Sequence, residues 1–187
     1  MARDKENYNS SFVLVIEYHC NDNDIDITSD KFIETIQAYC QVANAQYYSI
    51  LHDRDINANG EVKRKHYHLI LVHKSRIDKS TLIKRIAERL GITTNCISCD
   101  AVYTLNGAIR YLMHMDDSDK ANYLPFEVST NNETIFNLAI NNQCDNVDIN
   151  YLIQLCRDLP KLKVMEVLGL EVYQRWRNTI SDIYKEL

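Results

Sequence analysis

Asn59-Gly60 stands between two apolar stretches, Gln46 to His52 and Lys65 to His73, and this arrangement limits the fold more than any other feature of the chain. Asn-Gly supplies the left-handed residues of a tight hairpin turn. The flanking stretches have the aromatic and aliphatic content of strands. They are expected to lie side by side and antiparallel. Side chains alternate faces along a strand, so His66 and His68 point one way while Tyr67, Leu69 and Leu71 point the other.

The remaining pattern surrounds this hairpin. Ser11 to Tyr18 reads as a first strand. Phe32, Ile33, Ile36, Tyr39, Cys40 and Ala43 then recur at helical spacing behind an N-cap at Ser29 or Asp30. Asp78 caps a second helix carrying Leu82, Ile83, Ile86 and Leu90, and Gly91 stops it. Cys96 to Tyr103 is a fourth strand. Leu105, Ala108, Ile109, Leu112 and Met113 mark a third helix. The order β-α-β-β-α-β-α predicts an α+β fold, a ferredoxin-like or RRM-like antiparallel sheet with helices on one face. The other face is expected to be open to a ligand. Pro125 and Pro160 are the only prolines and lie outside this core. The pattern beyond them is helical, with a polar gap at 141–148. Leu162, Met165, Leu168, Val172, Tyr173, Trp176, Ile180, Ile183 and Leu187 form one apolar stripe. The expected organisation is a core at 1–125 and a helical tail at 126–187, suited to oligomerisation or partner binding.

With 187 residues and 45% hydrophobic content, the chain can bury a real core. No apolar run reaches the ~18–20 residues of a membrane span. No apolar segment precedes Phe12, so a cytoplasmic location and six reduced cysteines are expected. The net charge of −5 argues against nucleic-acid binding for the chain as a whole, but the charge is unevenly placed. Residues 1–60 carry a net −6 and residues 61–89 a net +6. A compact basic segment in an acidic chain is a candidate phosphate footprint, or else a solvated surface. Lys63, Arg64, Lys65, Lys74, Arg76 and, further on, Arg110 are its candidate DNA-binding residues.

Two imidazoles one pleat apart can share a metal ion. The hairpin brings the end of the preceding strand, His52-Asp53-Arg54-Asp55, towards them. His52, Asp55, His66 and His68 form a set of three imidazoles and one carboxylate, suited to Mn, Mg, Zn or Ni more than to thiolate-loving metals. Asp53 is read as a turn residue. On the third helix Tyr111 lies off the apolar stripe, with Gly107 one turn before it and His114 three residues after, on the same face.

The segments ILHDRD (50–55), KHYHLILV (65–72) and GAIRYLMH (107–114) together resemble the HUH endonucleases, and most closely the single-tyrosine initiators of plasmid rolling-circle replication. The resemblance covers about 11–125. It implies that His66 and His68 are the metal-binding pair, that His52 and Asp55 are further ligands, and that Tyr111 is the catalytic nucleophile. It also implies Mn²⁺ or Mg²⁺ as cofactor and a single-stranded or hairpin DNA origin as substrate. Attack would leave a 5′-phosphotyrosine link and a 3′-OH primer in a bacterial cell. Host helicase or polymerase, and further copies of the chain, are the implied partners. Many relatives carry Tyr-x-x-Lys where this chain has Tyr111-Leu112-Met113-His114, so His114 is either a supporting donor or a surface histidine. The competing readings are a single-strand transposase of the same superfamily and a non-catalytic RRM-like binding module. Cys96-x-x-Cys99 is set aside as structural thiols, and His19 and His73 are excluded by position. Tyr67 and Tyr103 are assigned to core packing.

Overall fold

In the computed structural model, residues 8–20, 22, 24–57, 59–117, 119–140, 152–153, 156–157 and 161–186 are described. They divide into two compact units, Met1–Asn132 and Glu133–Leu187.

The first unit is built on a five-stranded antiparallel sheet. Its elements are β1 (Tyr8–Glu17), the short strands β2 (His19–Cys20) and β3 (Ile25–Asp26), α1 (Ser29–Ala43), β4 (Ala45–His52), β5 (His66–Asp78), α2 (Lys79–Leu90), β6 (Ile97–Ala101), α3 (Leu105–Leu112) and β7 (Ser129–Thr130). The strand order is β6-β1-β5-β4-β7, with β2 and β3 forming a separate small ribbon. This is the α+β architecture the sequence predicts. A turn is present at Asn59-Gly60, closed by Asn57 and Glu61, but only Gly60 and not Asn59 is left-handed. Gly60 has φ +81°, Ile56 pairs with Val62, and the Lys63 N–H donates to Asp55 O at 2.7 Å. β5 runs five residues past the predicted end at His73. Asp78 caps α2 through the Thr81 N–H, and Gly91 ends the helix with φ +74°. α1 is preceded by Thr28, whose side chain makes no cap bond; Ser29 and Asp30 lie inside the helix.

One sheet face packs on α1 and α2. Phe12, Leu14, Ile16, Tyr47, Tyr67, Leu69 and Leu71 meet Phe32, Ile36, Tyr39, Leu82, Ile86 and Leu90 in one buried cluster. Full burial of each such side chain contributes about 1.5–3 kcal/mol. Tyr67 stacks on Phe32 at 3.9 Å and donates to Ile27 O, as a core residue. His73, on this same parity, shares a 2.7 Å hydrogen bond with Tyr39.

The second face is not fully open. α3 crosses β4 and β5 there, burying Ile109 and Leu112. An amphipathic helix must bury its stripe somewhere, and the first face is already filled. Tyr103, expected in the core, is 93% exposed. The expectation of six reduced cysteines is also corrected, since Cys20 and Cys96 are joined by a disulfide that ties β2 to the turn before β6. Cys40, Cys99 and Cys156 are free and buried, and Cys144 lies outside the described residues.

The first unit extends past 125 because β7 pairs with β4 and the Asn131 side chain bonds both Tyr47 N and Ala45 O. The second unit contains α4 (Glu133–Ile140) and α5 (Lys161–Glu186). Of the predicted stripe, Ile180 and Ile183 are buried and Tyr173 and Trp176 half-buried. The side chains of Leu162, Met165, Leu168, Val172 and Leu187, and the polar gap 141–148, lie outside the described residues. No helix among the described residues is long and apolar enough to cross a membrane.

Candidate active site

Strand register assembles the histidines. His52 pairs with His66 and Ile50 with His68 across β4 and β5, on the face away from α1 and α2. The three rings are mutually close, with centroids 5.4 Å (His52–His66), 4.3 Å (His52–His68) and 5.0 Å (His66–His68) apart. Asp55, just beyond β4, is buried beside them, its Oδ2 3.2 Å from His52 Nδ1 and 4.0 Å from His66 Nε2. His114 closes the opposite side, 4.6 Å from His52 between ring centroids. It is 2% exposed, so it is not a surface histidine. The ligating atoms of His52, His66 and His68, and those of His52, Asp55 and His114, lie within 4.8 Å of one another.

Backbone carbonyls fix which nitrogen is free. A carbonyl can only accept, so His52 Nε2–H donates to Leu112 O at 2.7 Å. His66 Nδ1–H donates to Arg64 O and His114 Nδ1–H to Ala121 O, both at 2.9 Å. Burial pushes His52 down to about 4 and His68 down to about 2, so both rings are neutral at physiological pH. His52 Nδ1 therefore carries a lone pair. It faces the Asp55 carboxylate at 3.2 Å outside hydrogen-bond geometry, with no proton to share. The Nδ1 atoms of His52 and His68 have no hydrogen-bond partner among the described residues. Two electron-rich atoms turned toward each other in a buried site are what a cation relieves, and rings anchored through the opposite N–H are typical of metal ligands. This donor set fits a divalent ion of borderline hardness.

Tyr111 projects from α3 over this cluster. Its ring lies 6.0 Å from His68 and 5.4 Å from His114, and it is 47% exposed. The helix ends immediately after it, and His114 adopts φ +53°, a conformation costly for a non-glycine residue. At Gly107 an added Cβ would sit 2.7 Å from Thr104 Oγ1, so the small residue there serves the start of α3 and not Tyr111.

Two site residues escape sequence reasoning. Lys120 Nζ donates to the Tyr111 hydroxyl at 3.1 Å while paired with Asp117 at 3.0 Å. The Tyr111 hydroxyl and Asp117 hold its pKa above the usual lysine value. Tyr123 stacks on His52 at 4.5 Å, donates to Asp55 Oδ1 at 3.2 Å, and accepts from the N–H groups of Asp53 and Arg54. Both come from the irregular segment after α3, where no periodicity marks them.

The basic residues separate. Lys63, Arg64 and Lys65 lead directly into His66. Lys74 and Arg76 lie at the far end of β5, where Arg76 lines a different cleft; eight residues of strand place Lys74 about 26 Å from His66. Arg110 is held by Asp116 in a bidentate ion pair.

A family model for the origin-binding domain of plasmid replication proteins matches residues 27–138, which include β4, β5, α3 and every side chain of this cluster. The chain belongs to that family. Among curated relatives, a replication protein RepB of Lactiplantibacillus plantarum is 40% identical over 83 residues, 44% of this chain and 35% of its own length. A replication protein of Staphylococcus aureus is 36% identical over 75 residues, 40% of this chain and 35% of its own length. The match thus spans about a third of each curated relative.

Proposed function

We propose that the chain initiates plasmid replication by binding its origin and nicking one DNA strand with Tyr111. The observation that carries this reading is the placement of an exposed tyrosine hydroxyl, held by Lys120, over a buried cluster of three strand-borne histidines, Asp55 and His114. Family membership supports the origin as the DNA target.

Free phenol, with a pKa of about 10, is a poor nucleophile at neutral pH. The Lys120 ammonium stabilises negative charge on the Tyr111 oxygen as its proton leaves. α3, packed on a rigid sheet, holds that oxygen for in-line attack. A Mn²⁺ or Mg²⁺ ion held by His52, Asp55, His66 and His68 would polarise a non-bridging phosphate oxygen. The Tyr111 O–P bond forms as the P–O3′ bond breaks, the phenolic proton passes to solvent, and the departing oxygen takes up a proton to become a 3′-OH. The bond energy is kept in the phosphotyrosine, so the strand can be rejoined. His114, fixed by Ala121 O, faces Asp55 and would supply a further ligand to a bound ion. We assign recruitment of host replication proteins, or self-association, to the helical unit 133–187, and the cytoplasm of a plasmid-bearing bacterium as the site of action.

The test is incubation of the full chain with single-stranded origin DNA and Mn²⁺, followed by denaturing electrophoresis. A covalent adduct is expected that disappears with chelator and with Tyr111→Phe, while Tyr111→Phe still binds Mn²⁺. Metal-independent DNA retention with no adduct in any condition would favour a binding module instead.

A further inference from the structure

Beside the histidine cluster, around the end of β1 and the start of β5, lies an open groove of about 670 Å³. Val15 and Glu17, which line it, pair across β1 and β5 with His68 and His66. The groove is therefore continuous with the candidate metal site. Its other wall is Lys63, Arg64 and Lys65, three consecutive exposed cations. None of the three has an ion-pair partner among the described residues. Glu17 is the only carboxylate among the lining residues, so Lys63, Arg64 and Lys65 leave the groove cationic. Tyr18, half-buried against Tyr67, lines the groove near Lys65, whose ammonium lies 5.7 Å from its ring centroid.

The cationic wall is fixed by its backbone. Lys63 N–H donates to Asp55 O, Arg64 O accepts from His66 Nδ1–H, and Lys65 O accepts from Tyr18 N–H at 3.1 Å. These bonds use main-chain atoms and leave all three side chains to a ligand. Unpaired cations at fixed spacing along a groove, with an aromatic ring beside them, suit a polyanion that also carries flat rings. The volume is that of a small-ligand cleft and is too small for a duplex.

We infer that this groove holds the unpaired nucleotides that flank the scissile phosphate, with Lys63, Arg64 and Lys65 on successive phosphates and a base against Tyr18. The inference rests on the reading of the adjoining cluster as a DNA-nicking centre and adds where the strand lies beside it. Glu17, at the end nearest His66, offers a carboxylate to an exocyclic base amino group. The groove would hold the strand and the metal cluster would act on it, so binding and chemistry are separable by mutation.

The experiment measures binding of a fluorescein-labelled twelve-nucleotide oligothymidylate to the full chain by anisotropy across a salt series. The proteins compared are wild type, the triple variant Lys63→Gln/Arg64→Gln/Lys65→Gln, Tyr18→Leu, and the double variant Lys31→Gln/Lys84→Gln, which alters exposed residues of α1 and α2 on the opposite face. Single strands lose about 0.7 of log–log salt slope per phosphate contact removed. The triple variant is expected to bind at least tenfold more weakly, with the slope reduced by about 2. Tyr18→Leu should weaken binding about tenfold at unchanged slope, and the opposite-face variant should match wild type. Mn²⁺ binding by the triple variant, measured on the same preparation, should equal wild type and so excludes misfolding. A wild-type slope in the triple variant, or an equal loss in the opposite-face variant, overturns the inference. If the slope falls as expected but wild type forms no adduct with origin DNA, the groove stands and the nicking reading fails. If the adduct forms and the slope does not change, the nicking reading stands and the groove fails.

Discussion

Replacing Tyr123 with Phe isolates the support beneath the metal cluster. The hydroxyl donates to Asp55 Oδ1 at 3.2 Å and accepts from the backbone N–H groups of Asp53 at 3.1 Å and Arg54 at 3.0 Å. Phe keeps the ring stacked on His52 but removes all three bonds. Two backbone donors and one carboxylate oxygen are then left short of partners. Each such group costs about 1–3 kcal/mol when buried, and less where water can reach it. A total near 2–4 kcal/mol is expected, which lowers the melting midpoint by about 5–15 °C for a chain of this size. Asp55 also loses the contact that orients its carboxylate. Loss of a hydrogen bond behind a metal ligand weakens metal affinity about 10–100-fold. Isothermal titration with Mn²⁺ and a thermal melt on the same protein read both quantities. A variant that melts lower yet binds Mn²⁺ as wild type does would refute the reasoning, because Asp55 would then play no part in holding metal.

Three other outcomes follow from the same geometry. Lys120→Met should slow single-turnover adduct formation about 10–100-fold at unchanged Mn²⁺ affinity, with partial recovery in Lys120→Arg; an unchanged rate would remove Lys120 from the chemistry. Burial lowers His52 to about 4 and His68 to about 2, below their unfolded value of 6.5. The unfolded chain therefore binds these protons first, and the metal-free protein should lose about 1.4 kcal/mol per histidine for each pH unit below 6.5; a flat chelator-treated stability profile between pH 6.5 and 5 would contradict this. The Cys20–Cys96 bridge closes a loop of 76 residues, and in the loop-entropy account reduction should remove about 4 kcal/mol of stability. Identical melts of wild type and Cys20→Ser, each with and without reductant, would show that the bridge contributes nothing.

Much of this arrangement is legible in the sequence because it rests on strand periodicity. His66 and His68 share a face by alternation, and the Asn59-Gly60 turn sets the register that puts His52 opposite His66. Two-residue periodicity and a strong turn are local, so they survive without knowledge of the fold. Tyr111 is legible as a residue off its helix stripe. What α3 packs on is not legible, because an amphipathic stripe specifies that a face is buried and not which surface buries it. Lys120 and Tyr123 come from an irregular segment whose path is set by tertiary contacts such as the Tyr123 N–H bond to Met113 O. Arg110 reads as a free cation from sequence, and only the structure shows its pairing with Asp116. The disulfide is equally hidden, since Cys20 and Cys96 are joined across elements whose proximity depends on the whole sheet.

The central claim is that the Tyr111 oxygen, and not a water or another tyrosine, attacks DNA over the histidine cluster. Peptide mass mapping after reaction with origin DNA and Mn²⁺ tests it most directly. A phosphonucleotide is expected on the proteolytic peptide containing Tyr111 and on no other. Tyr123 is excluded as an alternative by its buried hydroxyl, committed to Asp55 and two backbone donors. Attachment at the exposed Tyr103, or strand cleavage that leaves no nucleotide on the protein, would contradict the account.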